Sequence, residues 1–99
     1  MPRFVFSYRP SKEYRPSEDA MAAWAAWFEQ LGDSVVDRGN PVFESRTLGT
    51  FESPTRLGGY SLVAAENLDA AVALAGGCPL LRRGGAVEVG LLTELNPDG

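Results

Sequence analysis

Between Leu57 and Leu95 the chain reads LGGYSLVAAENLDAAVALAGGCPLLRRGGAVEVGLLTEL, a stretch that admits few arrangements. Gly58-Gly59 opens a short apolar strand, Asn67 starts an alanine-rich helix, Gly76-Gly77 and Cys78-Pro79 stop it, and Gly84-Gly85 launches another strand. An apolar strand, a helix and a second strand, each join marked by residues that break regular structure, make a β-α-β unit.

The first half supplies the matching pieces. Arg3 to Tyr8 is rich in aromatic and β-branched types and reads as a strand, with Phe4, Phe6 and Tyr8 on one face and Val5 and Ser7 on the other. Being apolar on both sides, it suits the middle of a sheet. Arg9 to Pro16 carries two prolines and no periodicity, so it is a loop. Ser17 is a good helix N-cap, and Glu18 and Asp19 place negative charge at the positive end of a helix running to Leu31. At 100° per residue, Ala20, Met21, Trp24, Trp27, Phe28 and Leu31 form one stripe, and Gly32 stops the helix. The spacing of Trp24, Trp27 and Phe28 favours core packing over a ligand-stacking box.

Asp33 to Asn40 reads as a connection in which Val35 and Val36 tuck inward. A second strand is expected over Val42 to Leu48, followed by a link from Gly49 to Arg56 that Pro54 bars from the middle of a ladder. A third strand spans Gly59 to Ala65, a second helix Leu68 to Ala75 with Leu68, Ala71, Val72 and Ala75 on its stripe, and a fourth strand Ala86 to Leu95. Asn96 to Gly99 reads as a frayed tail. The order β-α-β-β-α-β defines an α+β, ferredoxin-like sandwich: an antiparallel sheet with two helices on one face. The other face carries enough apolar residues to call for cover, which two copies stacked sheet to sheet would supply. A homodimer is therefore expected, with a shared space between the two sheets.

Ninety-nine residues make one small domain, spanning 1–99, too small to wall off a deep cavity alone. The net charge of −4 argues against a phosphate-backbone surface, so no nucleic acid partner is expected. There is no histidine and only Cys78, which excludes an internal disulfide and the usual zinc ligand sets. Ser-His-Asp and Cys-His catalysis fall with the imidazole, leaving carboxylates, Tyr, Lys or bound water for any proton transfer. Leu57-Gly58-Gly59-Tyr60 is too short to cradle a phosphate and opens a strand, so no cofactor is expected. The longest uncharged stretch, Ala70 to Leu81, is too short to span a bilayer; no membrane partner is expected, and the chain reads as soluble and cytoplasmic.

Four stretches, Glu18 to Val42, Leu57-Gly58-Gly59-Tyr60, Glu66 to Pro79 (ENLDAAVALAGGCP) and Gly84 to Val89, together resemble the YCII-related family, especially its DGPF-type branch. The resemblance covers most of the chain and implies a dimeric α-β barrel of ferredoxin-like subunits with a cleft at the interface. It implies no settled activity, though some relatives are lyase-like or dehydrohalogenating enzymes of small compounds. Where the branch has Asp-Gly-Pro-Phe and then Glu, this chain has Thr47-Leu48-Gly49-Thr50 and Glu52; the family's His-Asp pair is missing, and the Arg that often follows Glu-Val in the last strand is Gly90.

Two carboxylates are candidates for acid–base work. Glu88 stands between valines inside a strand, where an ionised group needs a partner; alternatives are an ion pair with Arg3 or Arg56 and an exposed edge position. Glu52 carries the family match, with a solvated loop as its alternative. Ser7, Tyr8, Tyr60 and Ser61 are candidate ligand contacts, set against ordinary strand packing. Cys78 reads as a small buried residue. The expected function is binding of a small organic molecule between subunits, with carboxylate-assisted proton transfer or elimination by Glu88 or Glu52; the alternative is a non-catalytic dimerisation or ligand-sensing module.

Overall fold

The computed structural model describes residues 1–95; the tail Asn96–Gly99 lies outside the described residues. Four strands, β1 (Arg3–Arg9), β2 (Val35–Asp37), β3 (Gly59–Ala64) and β4 (Ala86–Leu91), form one sheet in the order β2-β3-β1-β4. Every pairing is antiparallel. Helices α1 (Glu18–Leu31) and α2 (Leu68–Ala75) complete the ferredoxin-like β-α-β-β-α-β order expected from the sequence.

Strand parity decides what the helices cover. Phe4, Phe6 and Tyr8 of β1 and Val63 of β3 are buried in one core with Trp27 and Leu31 of α1 and Ala71 and Ala75 of α2. Both helices therefore pack on the same sheet face. The Ser17 hydroxyl accepts from the Ala20 N–H and the Asn67 side chain from the Ala70 N–H, so each helix begins where a short polar side chain replaces a missing backbone acceptor.

Trp27 is the central wedge of this core. Its ring stacks on Phe6 at 6.1 Å, meets Tyr8 edge-on at 6.0 Å, and its indole N–H donates to the Leu74 carbonyl across 3.3 Å. The last bond ties α1 to α2 through an atom that would otherwise be a buried, unsatisfied donor. Gly77 explains how the wedge fits beside the end of α2: a Cβ there would lie 2.8 Å from the indole Cδ1.

The helix stripes differ in detail from expectation. Met21 is exposed, as are Leu68 and Val72 of α2, whose buried side is instead Ala71 and Ala75 with Ala70 and Leu74 beside them. Small residues bring α2 close to the sheet, and the larger ones are displaced outward. A 3-10 turn over Pro79–Arg82, which sequence punctuation reads as plain connector, buries Pro79 and Leu80 before β4.

The second strand is the main correction. It is not Val42 to Leu48 but the three-residue β2, Val35–Asp37, joined to β3 through an irregular register, with Val35 on the core. Residues 43–57 form a long irregular arm. Its ends are anchored, since Val42 N–H donates to the Gly58 carbonyl and Arg56 N–H to the Pro10 carbonyl, but Phe43 and Leu48 are 81% and 98% exposed. Alternating Val-Phe-Glu-Ser-Arg-Thr-Leu has strand character, yet strand propensity counts only where a partner edge is in reach, and β3 is already flanked by β1 and β2. The fourth strand likewise ends at Leu91 rather than Leu95.

Gly77→Ala is expected to lower the unfolding free energy by ~1–3 kcal/mol in urea titrations. In a Trp27→Leu background that loss should largely vanish, because the new methyl no longer meets the indole; an equal loss in both backgrounds would place the conflict elsewhere.

Candidate functional site

The face of the sheet away from the helices carries the odd-numbered residues of β1 and the even-numbered residues of β3 and β4. Ser7 stands opposite Tyr60 on one side and Glu88 on the other, so the three share a row across three strands. Directly opposed residues point to the same face, about 5 Å apart at each step. The neighbouring row, Leu62-Val5-Gly90, is apolar; on the other side Arg9 stands opposite Ala86. The sheet thus grades from an apolar row, through a hydroxyl, phenol and carboxylate row, to a cation.

Glu88 is exposed on the edge strand β4, the exposed-edge alternative rather than an ion pair inside a ladder. Tyr60 is 38% exposed, and its phenol oxygen receives a long 3.5 Å hydrogen bond from the Asn40 amide. Ser7 is half-buried between them.

Tyr8 and Ser61 lie on the opposite face, turned into the core, and do not join this row. The Tyr8 hydroxyl donates to Ser61 Oγ across 2.8 Å, and the Ser61 hydroxyl donates to the Arg38 carbonyl. Two buried polar groups are satisfied in series, and the chain leaving β2 is latched to the core. Burial holds the Tyr8 phenol well above its usual range, with the bond to Ser61 pulling the other way. The pair does structural work: Arg38, at the end of the latch, places its guanidinium 4.4 Å above the Phe28 ring.

Glu52 sits exposed on the arm, apart from the sheet row, where the arm folds against the end of β1 to form an open basin of about 770 Å³. Its walls carry Arg9, Lys12, Arg46 and Arg56 beside Glu52 and Phe51. The Arg9 Nε–H donates to Thr55 Oγ1 across 3.3 Å, and its guanidinium lies 5.4 Å from the Phe51 ring centroid. Sequence reasoning missed this cluster. Arg9 has the parity of Ser7, but Arg46 from the expected strand and Arg56 from the link after it meet Arg9 only because both stretches fold as one arm.

Cys78 is 2% exposed, and burial pushes its thiol up to about 11 against a backbone hydrogen bond from Leu80 that lowers it. Among the described residues no group of three or more His, Cys, Asp or Glu is placed to hold a metal ion, and no helix is long and apolar enough to cross a membrane.

These features define a ferredoxin-like α+β fold with a chemically graded, uncovered sheet face. No family model matches the chain, and no curated protein is close enough in sequence to count as a match. Among solved structures, 5-chloro-2-hydroxyhydroquinone dehydrochlorinase (TftG) from Burkholderia phenoliruptrix AC1100, in complex with 2,5-dihydroxybenzoquinone, is similar to it. The TM-score is 0.60 at 23% identity, over 93% of this chain and 94% of that one. At that identity the likeness establishes the fold.

Ser61→Ala should cost ~1–3 kcal/mol, because it strands a buried phenol, while Tyr8→Phe should cost less, because Ser61 keeps the Arg38 carbonyl; equal losses in urea unfolding would remove the latch. The raised thiol favours the folded state below its ordinary value of 9.0, and that contribution is lost as pH rises toward about 11. Resistance to urea should fall across this window, and Cys78→Ala should flatten the first part of the decline.

Proposed function

We propose that the protein is a homodimeric, YCII-like small-molecule-binding protein of one domain, in which the uncovered faces of two sheets enclose the ligand. The observation that carries this reading is the row Tyr60-Ser7-Glu88, a phenol, a hydroxyl and a carboxylate side by side on the face that the chain's own helices leave open. In a paired arrangement the apolar row Leu62-Val5-Gly90 supplies the contact and the polar row faces the ligand. The arm adds support: Phe43, Leu48 and Phe51 are exposed to a degree that is costly in water and natural for an element lying against another copy.

The chemistry that fits is carboxylate-assisted proton transfer, with Glu88 as the acid–base group, Ser7 and Tyr60 as hydrogen-bonding contacts, and Glu52 as the second carboxylate candidate. TftG, a dehydrochlorinase whose structure holds a quinone, supports a small cyclic organic ligand for a fold of this kind. Tyr8 and Ser61 take the positioning role of the latch. A cytoplasmic setting fits the single unpaired thiol. A non-catalytic ligand-sensing module is the second reading, favoured by the placement of Glu52 and Glu88 on separate elements with no imidazole to relay a proton between them.

Sedimentation equilibrium at micromolar concentration should give a dimer, and Leu62→Glu should give a folded monomer by circular dichroism; a monomeric wild-type chain would end the shared-cleft reading. With hydroquinone as a neutral probe whose phenols can donate to the carboxylate, Glu88→Gln and Ser7→Ala should each weaken calorimetric binding by about tenfold, the loss of one hydrogen bond to a charged or polar group. Unchanged binding in both would detach the row from the ligand.

A further inference from the structure

We infer that the basin under the arm is an anion site that takes the carboxylate end of a small organic acid. This deepens the small-molecule reading, resting on it for the existence of a ligand but not for pairing, because every residue used belongs to one chain. Arg9, Lys12, Arg46 and Arg56 are four of the nine basic residues, and they converge on one hollow in a chain whose net charge is −4. Against them the basin sets one carboxylate, Glu52. Like charges gathered this way repel, and nothing in the fold's core requires them to meet: β1 supplies Arg9, the following loop Lys12, and the arm the other two. A locally positive hollow in an acidic molecule concentrates anions from solution and selects against cations.

The key side chain is also held in place. Arg9 is fixed from one side by the hydroxyl of Thr55 and from another by the face of Phe51. Its Nε–H is spent on Thr55, which leaves the terminal fork, the part whose planar geometry matches a carboxylate, for an incoming group. A point charge such as Lys12 adds attraction without direction.

What the anion is attached to follows from the adjoining hollow. A second recess of about 230 Å³ shares Ser45, Arg56 and Leu57 with the basin and is walled on its other side by Tyr14, Arg15, Pro16, Val42 and Phe43. One compartment is cationic; the next sets Tyr14, Pro16, Val42 and Phe43 beside Arg15, with Arg56 on the boundary. An inorganic anion would leave Tyr14, Val42 and Phe43 unused; an acid with an apolar body uses them together with the cations.

Isothermal titration with phenylacetate and its neutral counterpart phenylacetamide, in low-salt buffer, separates charge from shape. Phenylacetate should bind at least about tenfold more tightly, as expected for hydrogen bonds to a charged group. Arg46→Gln and Arg56→Gln, both changes at the arm, should erase most of that preference, whereas Glu52→Gln should tighten phenylacetate by removing the opposing charge. Added salt should weaken the binding, since the basin is open to water. Equal affinity for the acid and the amide, or a preference that survives both arginine changes, would overturn the inference. Inorganic phosphate binding as tightly as phenylacetate would also overturn it, by showing a plain charged patch. Sedimentation of the same samples reports pairing separately, so a monomer that still prefers the acid sinks the dimer and leaves the anion site standing.

Discussion

Everything on the uncovered side of the sheet depends on the alternation of β1. Phe4, Phe6 and Tyr8 are committed to the helices by their burial against Trp27 and Leu31, and in a pleated strand that commitment sends Val5, Ser7 and Arg9 to the other face. A slip of one residue would bury Ser7 and Arg9 and expose two phenylalanines, so the register is strongly specified. Neighbouring strands inherit it: once β1 is fixed, antiparallel pairing places Tyr60 and Glu88 on either side of Ser7. The polar row is thus a consequence of core packing on the opposite face, with no local signature of its own.

The arm is positioned by a second consequence of the same core. Because Tyr8 points inward, its hydroxyl reaches Ser61, and Ser61 reaches the Arg38 carbonyl just beyond β2. The chain must then turn at Gly39, which has φ +76° and where a Cβ would lie 1.8 Å from the Tyr60 carbonyl oxygen. Only glycine passes that close to β3. Residues 43–57 start from this fixed point and return by way of Pro10 and Tyr8, whose carbonyls receive the Arg56 and Gly58 N–H groups. Both ends being tied beside Arg9, the basin is a product of where the latch and the return bonds hold the arm.

The sequence made the helices, their caps and three strands legible because each has a local cause: Ser17 and Asn67 for the caps, Gly32 and Gly76-Gly77 for the stops, and period-2 burial in β1, β3 and β4. It misplaced the second strand because Val35-Val36-Asp37 is too short to show a period, while Val42 to Leu48 shows one but finds β3 already flanked by β2 and β1. The polar row of the candidate site was half legible for the same reason. Ser7, Tyr60 and Glu88 could be picked out singly as polar groups in apolar strands, but which of the serines and tyrosines share a face is set by register. Ser7 with Tyr60, and Ser61 with Tyr8, are neighbours in sequence-swapped pairs that end on opposite sides. Arg46 and Arg56 carry no pattern at all until the arm folds them toward Arg9.

On the proposed reading, the two carboxylates do different things. Glu52 shares the basin wall with four cations and suits a group that tempers the basin and limits how tightly an anion is held. Glu88 lies beside a hydroxyl on an exposed edge strand. A carboxylate in open water has little leverage on a substrate, because high dielectric dilutes its field and solvent competes for every proton it handles. Covering the face changes that, since excluding water strengthens each interaction of the Tyr60-Ser7-Glu88 row with whatever lies against it. Any catalytic use of Glu88 therefore waits on the second copy, while recognition of an anion under the arm does not. Binding can precede pairing in such a design, and chemistry cannot.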